Sequence, residues 1–161
     1  MKSLSKTVLS LAFASSLAAS AMAGQGWLTS YSDAVKLSQK TGKPIMADFT
    51  GSDWCSWCIK LHKEVFDTPQ FKKWADKNVI LLELDYPQKP ENRSKMPKQL
   101  QQQNADLLVK HQNVIKGYPT ILFLRGDGTV FGKYGYDNGG PDRWTKMADR
   151  LLPLQKQPPT R

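Results

Sequence analysis

Apolar positions along this chain follow two rhythms. The runs Ile45-Met46-Ala47-Asp48-Phe49 and Val79-Ile80-Leu81-Leu82-Glu83-Leu84-Asp85 are short and almost continuously apolar, the signature of strands buried on both faces. Around them apolar residues recur at three- and four-residue spacing. Ala34, Val35 and Leu37 predict a helix that Ser32 can cap, with Gly42 closing it and Pro44 beyond as a stop. Leu61, Val65 and Phe66 predict another, with Lys60, Lys63 and Glu64 outward and Cys58 at or just inside its N-terminus. Pro69 in a tolerated first-turn position opens a helical piece over Gln70 to Asp76.

The second half continues in the same manner. A polar stretch from Pro87 to Pro97 reads as a surface excursion, followed by a Gln-rich helix from Lys98 to His111 with Leu100, Leu107 and Leu108 among its apolar positions. Thr120 to Leu124 and Thr129 to Tyr134 flank Gly126-Asp127-Gly128, which predicts a hairpin. A last helix spans Asp142 to Leu152, and the Pro-rich residues from Pro153 are expected to form a loose tail. The order helix, strand, helix, strand, helix, strand, strand, helix predicts an α/β domain: a mixed sheet with helices on both faces. Pattern alone does not select the particular fold.

The first 23 residues stand apart. Lys2 and Lys6 precede an apolar run from Val8 to Leu17, and Ala21-Met22-Ala23 supplies a small-x-small terminus. This predicts a signal peptide over 1–23, cleaved before Gly24, and a periplasmic or secreted product. A spanning helix wants about 20 strongly apolar residues; this run is shorter and rich in Ala and Ser, so no stable membrane insertion is expected. One domain over 24–152 and a flexible tail over 153–161 complete the expected organisation. The formal charge of +9 falls to +7 when Lys2 and Lys6 leave with the leader. The Lys and Arg residues are scattered, so the charge reads as a solvated surface and not as a nucleic-acid site.

The chain has 2 cysteines, and both lie in Cys55-Ser56-Trp57-Cys58. An exported protein whose thiols form one C-x-x-C has none left for a structural framework, so the pair points to thiol–disulfide chemistry. A free thiol is only a few per cent ionised at pH 7; amides and dipole at a helix N-terminus bring its pKa to about 7. His62 lies four residues after Cys58 on the same helical face. A Cys2His2 zinc site with His111 has the ligand count but not the usual spacing, so His62 is expected at the surface or in packing. Ile59 after Cys58 excludes the haem-attachment motif. Neither cofactor nor metal is expected.

Three landmarks occur in order: Asp48-Phe49, then Trp54-Cys55-Ser56-Trp57-Cys58, then Val114-Ile115-Lys116-Gly117-Tyr118-Pro119-Thr120 ahead of an apolar strand. Together they resemble the thioredoxin superfamily over most of the chain after the leader. The nearest likeness is to exported members with Trp-Cys-x-x-Cys and an extended connection after a Leu-Asp-Tyr-Pro segment. The resemblance implies the thioredoxin fold, with Cys55 as nucleophile and Cys58 as the resolving thiol. It also implies a cis bond before Pro119, substrate pairing at Tyr118, and a buried acid, Asp48, that accepts the Cys58 proton. The lysine that usually partners this acid has no counterpart in Val79 to Asp85, where Leu81 takes its place; Gly51-Ser52-Asp53 adds a residue before Cys55. Trp54 and Trp57 are expected to form an apolar collar that docks substrate.

The function expected is an exported thiol–disulfide oxidoreductase, a monomer that reduces disulfides through a Cys55–Cys58 redox pair. Its partners would be disulfide-containing or dithiol proteins and a redox partner that supplies or accepts electrons. Three alternatives stay open from the sequence: a binding or chaperone module with a static disulfide, a disulfide donor, and metal handling by the two thiolates.

Overall fold

The structure is a computed structural model and describes residues 22–23 and 26–157. Residues 1–21 of the expected leader lie outside that range. The backbone of Met22–Ala23 forms a short strand β1, paired antiparallel with β2 (Trp27–Leu28). Helix α1 (Tyr31–Thr41) follows. Its cap is Ser30 and not Ser32: Ser30 has extended backbone, and its Oγ accepts the Asp33 N–H at 3.3 Å, whereas Ser32 already lies in the first turn. Gly42 ends the helix in the left-handed region, φ 72°, and its N–H returns to Ser38 O at 2.8 Å.

The chain then runs through β3 (Ile45–Thr50), α2 (Ser56–Leu61), a π-helical turn (His62–Phe66), α3 (Pro69–Asn78), β4 (Ile80–Asp85) and α4 (Pro90–Lys95). It finishes with α5 (Lys98–His111), β5 (Thr120–Leu124), β6 (Val130–Tyr134), α6 (Gly140–Leu151) and a 3-10 turn (Leu152–Lys156). The sheet order is β1-β2-β4-β3-β5-β6. Strands β2, β4 and β3 run parallel; β5 and β6 are antiparallel additions.

Strand periodicity divides the core in two. Ile45, Ala47 and Phe49 of β3, Ile80, Leu82 and Leu84 of β4, and Leu122 and Leu124 of β5 face α1 and α5, where Ala34 and Leu107 cover them. Met46, Leu81, Ile121 and Phe123 face the other way, under Leu61, Val65, Phe66, Phe71 and Trp144. Each such side chain contributes about 1.5–3 kcal/mol by leaving water. By the same alternation Asp48 shares the Met46 face and points toward α2 and the π-helical turn.

Two segments are more ordered than their composition predicts. The polar excursion contains α4, and its start is tied down by Asp53, whose carboxylate accepts the N–H groups of Gln88 and Lys89 and the side-chain amide of Asn92 at 2.9–3.0 Å. After α6 the chain stays docked: the Arg125 guanidinium donates to the carbonyls of Leu154, Gln155 and Gln157. Pro153 therefore opens a turn in place of a loose tail, and residues 158–161 lie outside the described part. Among the described residues no helix is long and apolar enough to cross a membrane.

Candidate functional site

The turn between β3 and α2 brings the two sulfurs together. A Cβ on Gly51 would come within 2.4 Å of the Trp54 indole, so only glycine fits beneath that ring. The Cys55 N–H returns to Gly51 O at 2.9 Å, and Cys55 is itself the N-cap of α2. Its sulfur accepts the Cys58 N–H at 3.2 Å and is bonded to the Cys58 sulfur. The reactive pair thus sits where unsatisfied helix amides converge, which favours negative charge on the Cys55 sulfur once the bond opens. The sequence reading leaves Cys55 exposed and Cys58 shielded. In the disulfide form both are buried, Cys55 at 6% and Cys58 at 1% exposure.

Beneath the pair Asp48 is fully buried, and its Oδ2 lies 2.8 Å from Nε2 of His62. Oδ1 has no protein partner. His62 begins the π-helical turn, in which the Asp67 N–H reaches back to His62 O, and its ring packs against Trp27 and edge-on to Phe66. It is neither a surface histidine nor packing alone: it is the partner of Asp48. The strand register adds a second correction, since Glu83 lies opposite Asp48 and Leu81 pairs with Met46. The place beside the acid on β4 is held by another carboxyl.

The local charges pull together. Burial raises the Asp48 carboxyl, and Asp85 adds to the rise, against the hydrogen bond and charge of His62. Burial would pull His62 down, but the hydrogen bond and charge of Asp48, then Glu83 and Asp67, lift it above its ordinary value. Glu83 is raised by burial, with Asp48 and Asp85 adding and His62 opposing. The site therefore holds protons more tightly than its parts would in water. A cavity of about 280 Å³ opens beside it, lined by Thr50, Ser52, Cys58, Ile59, His62 and Glu83 with Lys63 and Asp67 at its wall.

Aromatic rings flank the disulfide. Trp54, 39% exposed, donates from Nε1 to Tyr86 O at 2.8 Å and meets the Tyr118 ring edge-on at 5.4 Å. Trp57, 54% exposed, tilts against Tyr136 at 5.1 Å, with the Lys60 ammonium over both rings. The Tyr118–Pro119 bond is cis. Behind Trp54, the chain segments Tyr86–Gln88 and α4–α5 line a second cavity of about 440 Å³ that also reaches Tyr118. Asp85 braces the turn from the end of β4, accepting from Ser52 N–H and Oγ at 2.8 and 2.6 Å.

The structure thus gathers Asp48, Trp54, Cys55, Trp57 and Cys58 around one turn, with Tyr118 against Trp54. Sequence reasoning missed His62 as a partner, together with Glu83, Asp53, Tyr86 and Tyr136. For His62 a signal existed: a residue four after Cys58 shares its helical face, and that face covers the side of β3 on which Asp48 falls. For the others the partner lies across a strand register or a loop. No group of three or more His, Cys, Asp or Glu side chains placed to hold a metal ion occurs among the described residues.

The model of a thioredoxin-like domain matches residues 31–150. The chain is 33% identical to the disulfide bond reductase DsbH of Chlamydia pneumoniae over 126 residues, which is 78% of this chain and 72% of that protein. It is 35% identical over 92 residues to the thiol:disulfide interchange protein DsbD of Klebsiella pneumoniae, covering 57% of this chain and only 13% of that longer protein. Among solved structures, DsbH oxidoreductase superposes with a TM-score of 0.73 at 29% identity, over 93% of this chain and 96% of that one. A thioredoxin from Thermus thermophilus, TM-score 0.58 at 16% identity over 81% of this chain and 88% of that one, shares the fold. The architecture is the thioredoxin fold.

Proposed function

The chain belongs to the thioredoxin-like family and is a thiol–disulfide oxidoreductase, and on that footing we propose that it is exported and works as a reductase. Cys55 attacks a substrate disulfide, a mixed disulfide forms, and Cys58 resolves it, closing the Cys55–Cys58 bond and releasing the substrate as thiol. Asp48 accepts the Cys58 proton. Trp54, Trp57, Tyr118 and the backbone before Pro119 hold the substrate segment. The partners are disulfide-containing proteins and a donor that returns Cys55–Cys58 to the dithiol. Export follows from Lys2, Lys6 and the Ala21-Met22-Ala23 terminus, with processing before Gly24 and a periplasmic or secreted location.

The observation that carries the reductive direction is the charge around the sulfurs. A strong oxidant needs a greatly stabilised thiolate, and a cation between the cysteines is the most direct device. Ser56 and Trp57 supply none, and the Lys60 ammonium is spent over Trp57 and Tyr136 and beside Glu64. Around His62 the buried and half-buried groups are the carboxyls of Asp48 and Glu83, so no unpaired buried cation is supplied from that side either. The name of the relative in Chlamydia, a disulfide bond reductase, agrees with this. Equilibrating the protein against glutathione tests the reading. A potential between roughly −270 and −200 mV is expected. A value near −120 mV makes it a disulfide donor, and one below about −300 mV a static disulfide.

A further inference from the structure

The mechanism above leaves His62 without a task, yet the residue is built into the site from several sides. Its Nε2 lies 2.8 Å from Asp48 Oδ2, its ring is held by Trp27 and Phe66, and its side chain remains 26% exposed. Asp48 is wholly enclosed and has no route of its own to water. Its other oxygen, Oδ1, is buried with no partner, an arrangement that native structures seldom leave unexplained. His62 and Cys58 line the same cavity, to which Thr50, Ser52 and Glu83 add polar side chains and which is large enough for water.

We propose that Asp48 and His62 form a one-proton relay in which Asp48 Oδ1 receives the Cys58 proton while His62, bound at Oδ2, passes a proton out through the cavity. The inference rests on the reading of Asp48 as the proton acceptor and adds His62 as a positioning residue that acts on Cys58 through it. Before resolution the pair holds one proton, as carboxylate and imidazolium. Cys58 S–H gives its proton to Oδ1, and the Cys58 thiolate attacks Cys55 in the mixed disulfide. The Cys55–Cys58 bond forms, the Cys55–substrate bond breaks, and the leaving thiolate takes a proton from solvent. His62 then releases its proton to water, and the proton on Asp48 relocates to His62, which restores the pair. In the reductive half of the cycle the same steps run backwards. A lysine beside the acid would offer charge but not this passage, since its ordinary pKa near 10.4 leaves it protonated throughout.

The groups that face His62 set its titration: Asp48 from β3, Glu83 from β4, and Asp67 beyond the π-helical turn, with Lys63 on its own element at the cavity wall. Their balance lifts His62 above its ordinary value, with the Asp48 hydrogen bond and charge the main causes acting against burial. Loss of the imidazole leaves the Asp48 carboxyl raised by burial with neither counterion nor exit.

The test follows the reduced protein mixed with glutathione disulfide, with acid quenching and mass spectrometry to count the Cys55–glutathione mixed disulfide. In His62→Gln the first attack by Cys55 keeps its rate, whereas resolution slows about tenfold at pH 7. The deficit shrinks with rising pH and vanishes above the thiol's own pKa, where Cys58 ionises unaided. Glutamine keeps a donor for Asp48 but cannot titrate. A wild-type profile in His62→Gln, or a deficit of constant size at every pH, reduces His62 to a structural prop and overturns the relay. As a second handle, Glu83→Gln removes a carboxylate facing the imidazole and shifts the inflection of the resolution profile to lower pH; an unmoved inflection counts equally against the proposal. The readout is the pH profile of resolution relative to wild type and not the potential, so a strongly oxidising potential would refute the reductase direction and leave this result standing.

Discussion

The chain has 2 histidines, one on each face of the sheet, and their surroundings push them in opposite directions. His62, under the disulfide, is lifted above its ordinary value because Asp48, Glu83 and Asp67 outweigh burial. His111, at the end of α5, is 6% exposed, sits edge-on to Phe49 and leaves Nε2 without a partner. Burial, with Lys110 adding, holds it below its ordinary value. The same side chain therefore has its proton held by a carboxyl on one face and disfavoured by burial on the other. What differs is the strand residue beneath: β3 offers Asp48 to His62 and Phe49 to His111, and adjacent strand residues point to opposite faces. Both faces carry a buried apolar core, and among the described residues only the one under the disulfide also encloses a carboxyl.

The comparison breaks most visibly if the two faces are cut separately. Leu122→Ala on the His111 side should cost about 2–5 kcal/mol in a urea titration, the range for a fully buried leucine. Disulfide-exchange rates per folded molecule should not change; a matching loss of exchange would show that the faces are not independent.

Asp48→Asn should do the reverse. Asparagine cannot take the Cys58 proton, so resolution of the mixed disulfide should slow about 10²-fold at pH 7, or about 2.7 kcal/mol in barrier. Stability above neutral pH should hold or increase, because the variant removes a carboxylate that burial disfavours. Unchanged mixed-disulfide lifetimes would take Asp48 out of the chemistry.

A pH series on the oxidised protein sharpens the contrast without perturbing either core. A raised folded-state pKa means that the native state binds more protons than the unfolded chain, so the stability from His62 is present below about 6.5 and lost as pH rises through its folded value. Asp48 and Glu83, also raised, contribute the same sign from lower pH upward. His111, being lowered, contributes oppositely: stability is lost as pH falls from about 6.5 through its folded value. Urea midpoints should fall from pH 6.5 to 9, and His62→Gln should flatten that decline. A steeper decline in the variant would reverse the assigned sign.

The smallest effect is expected at His111→Leu. Replacing a ring with an unpartnered nitrogen by an apolar side chain should change stability by less than about 1 kcal/mol, and resolution kinetics should stay at the wild-type level. Slower resolution would mean that the second histidine also reaches the site.

How much of this was legible beforehand depends on the range of each interaction. The two buried strands, the helix from Lys98 to His111 and the hairpin around Gly126-Asp127-Gly128 could be read because burial on a repeating backbone imposes a local period. Cys55 and Cys58 were legible as the reactive pair because their chemistry needs only three residues of separation and a helix start. The order around Asp53 was not, since a Pro- and Lys-rich segment looks free until a carboxylate from another loop captures its N–H groups. The same holds for the turn after Leu151, which Arg125 holds from a distant strand end. Ser30 displaced Ser32 as the cap of α1 because both residue types suit the position and only backbone angles choose.

By itself the sequence determined the α/β order, the buried strands, the place of the thiol pair at a helix start and the presence of an acid in the strand before it. These are matters of residue type and spacing within one element. Tertiary structure alone decided which groups face that acid. Whether Leu81 or Glu83 lies beside Asp48 is a question of strand register, since a shift of one residue turns every side chain to the other face. Whether His62 meets solvent or Asp48 depends on how a π-helical turn rotates it over the sheet. Charges couple through space, and in a buried site that coupling sets the chemistry.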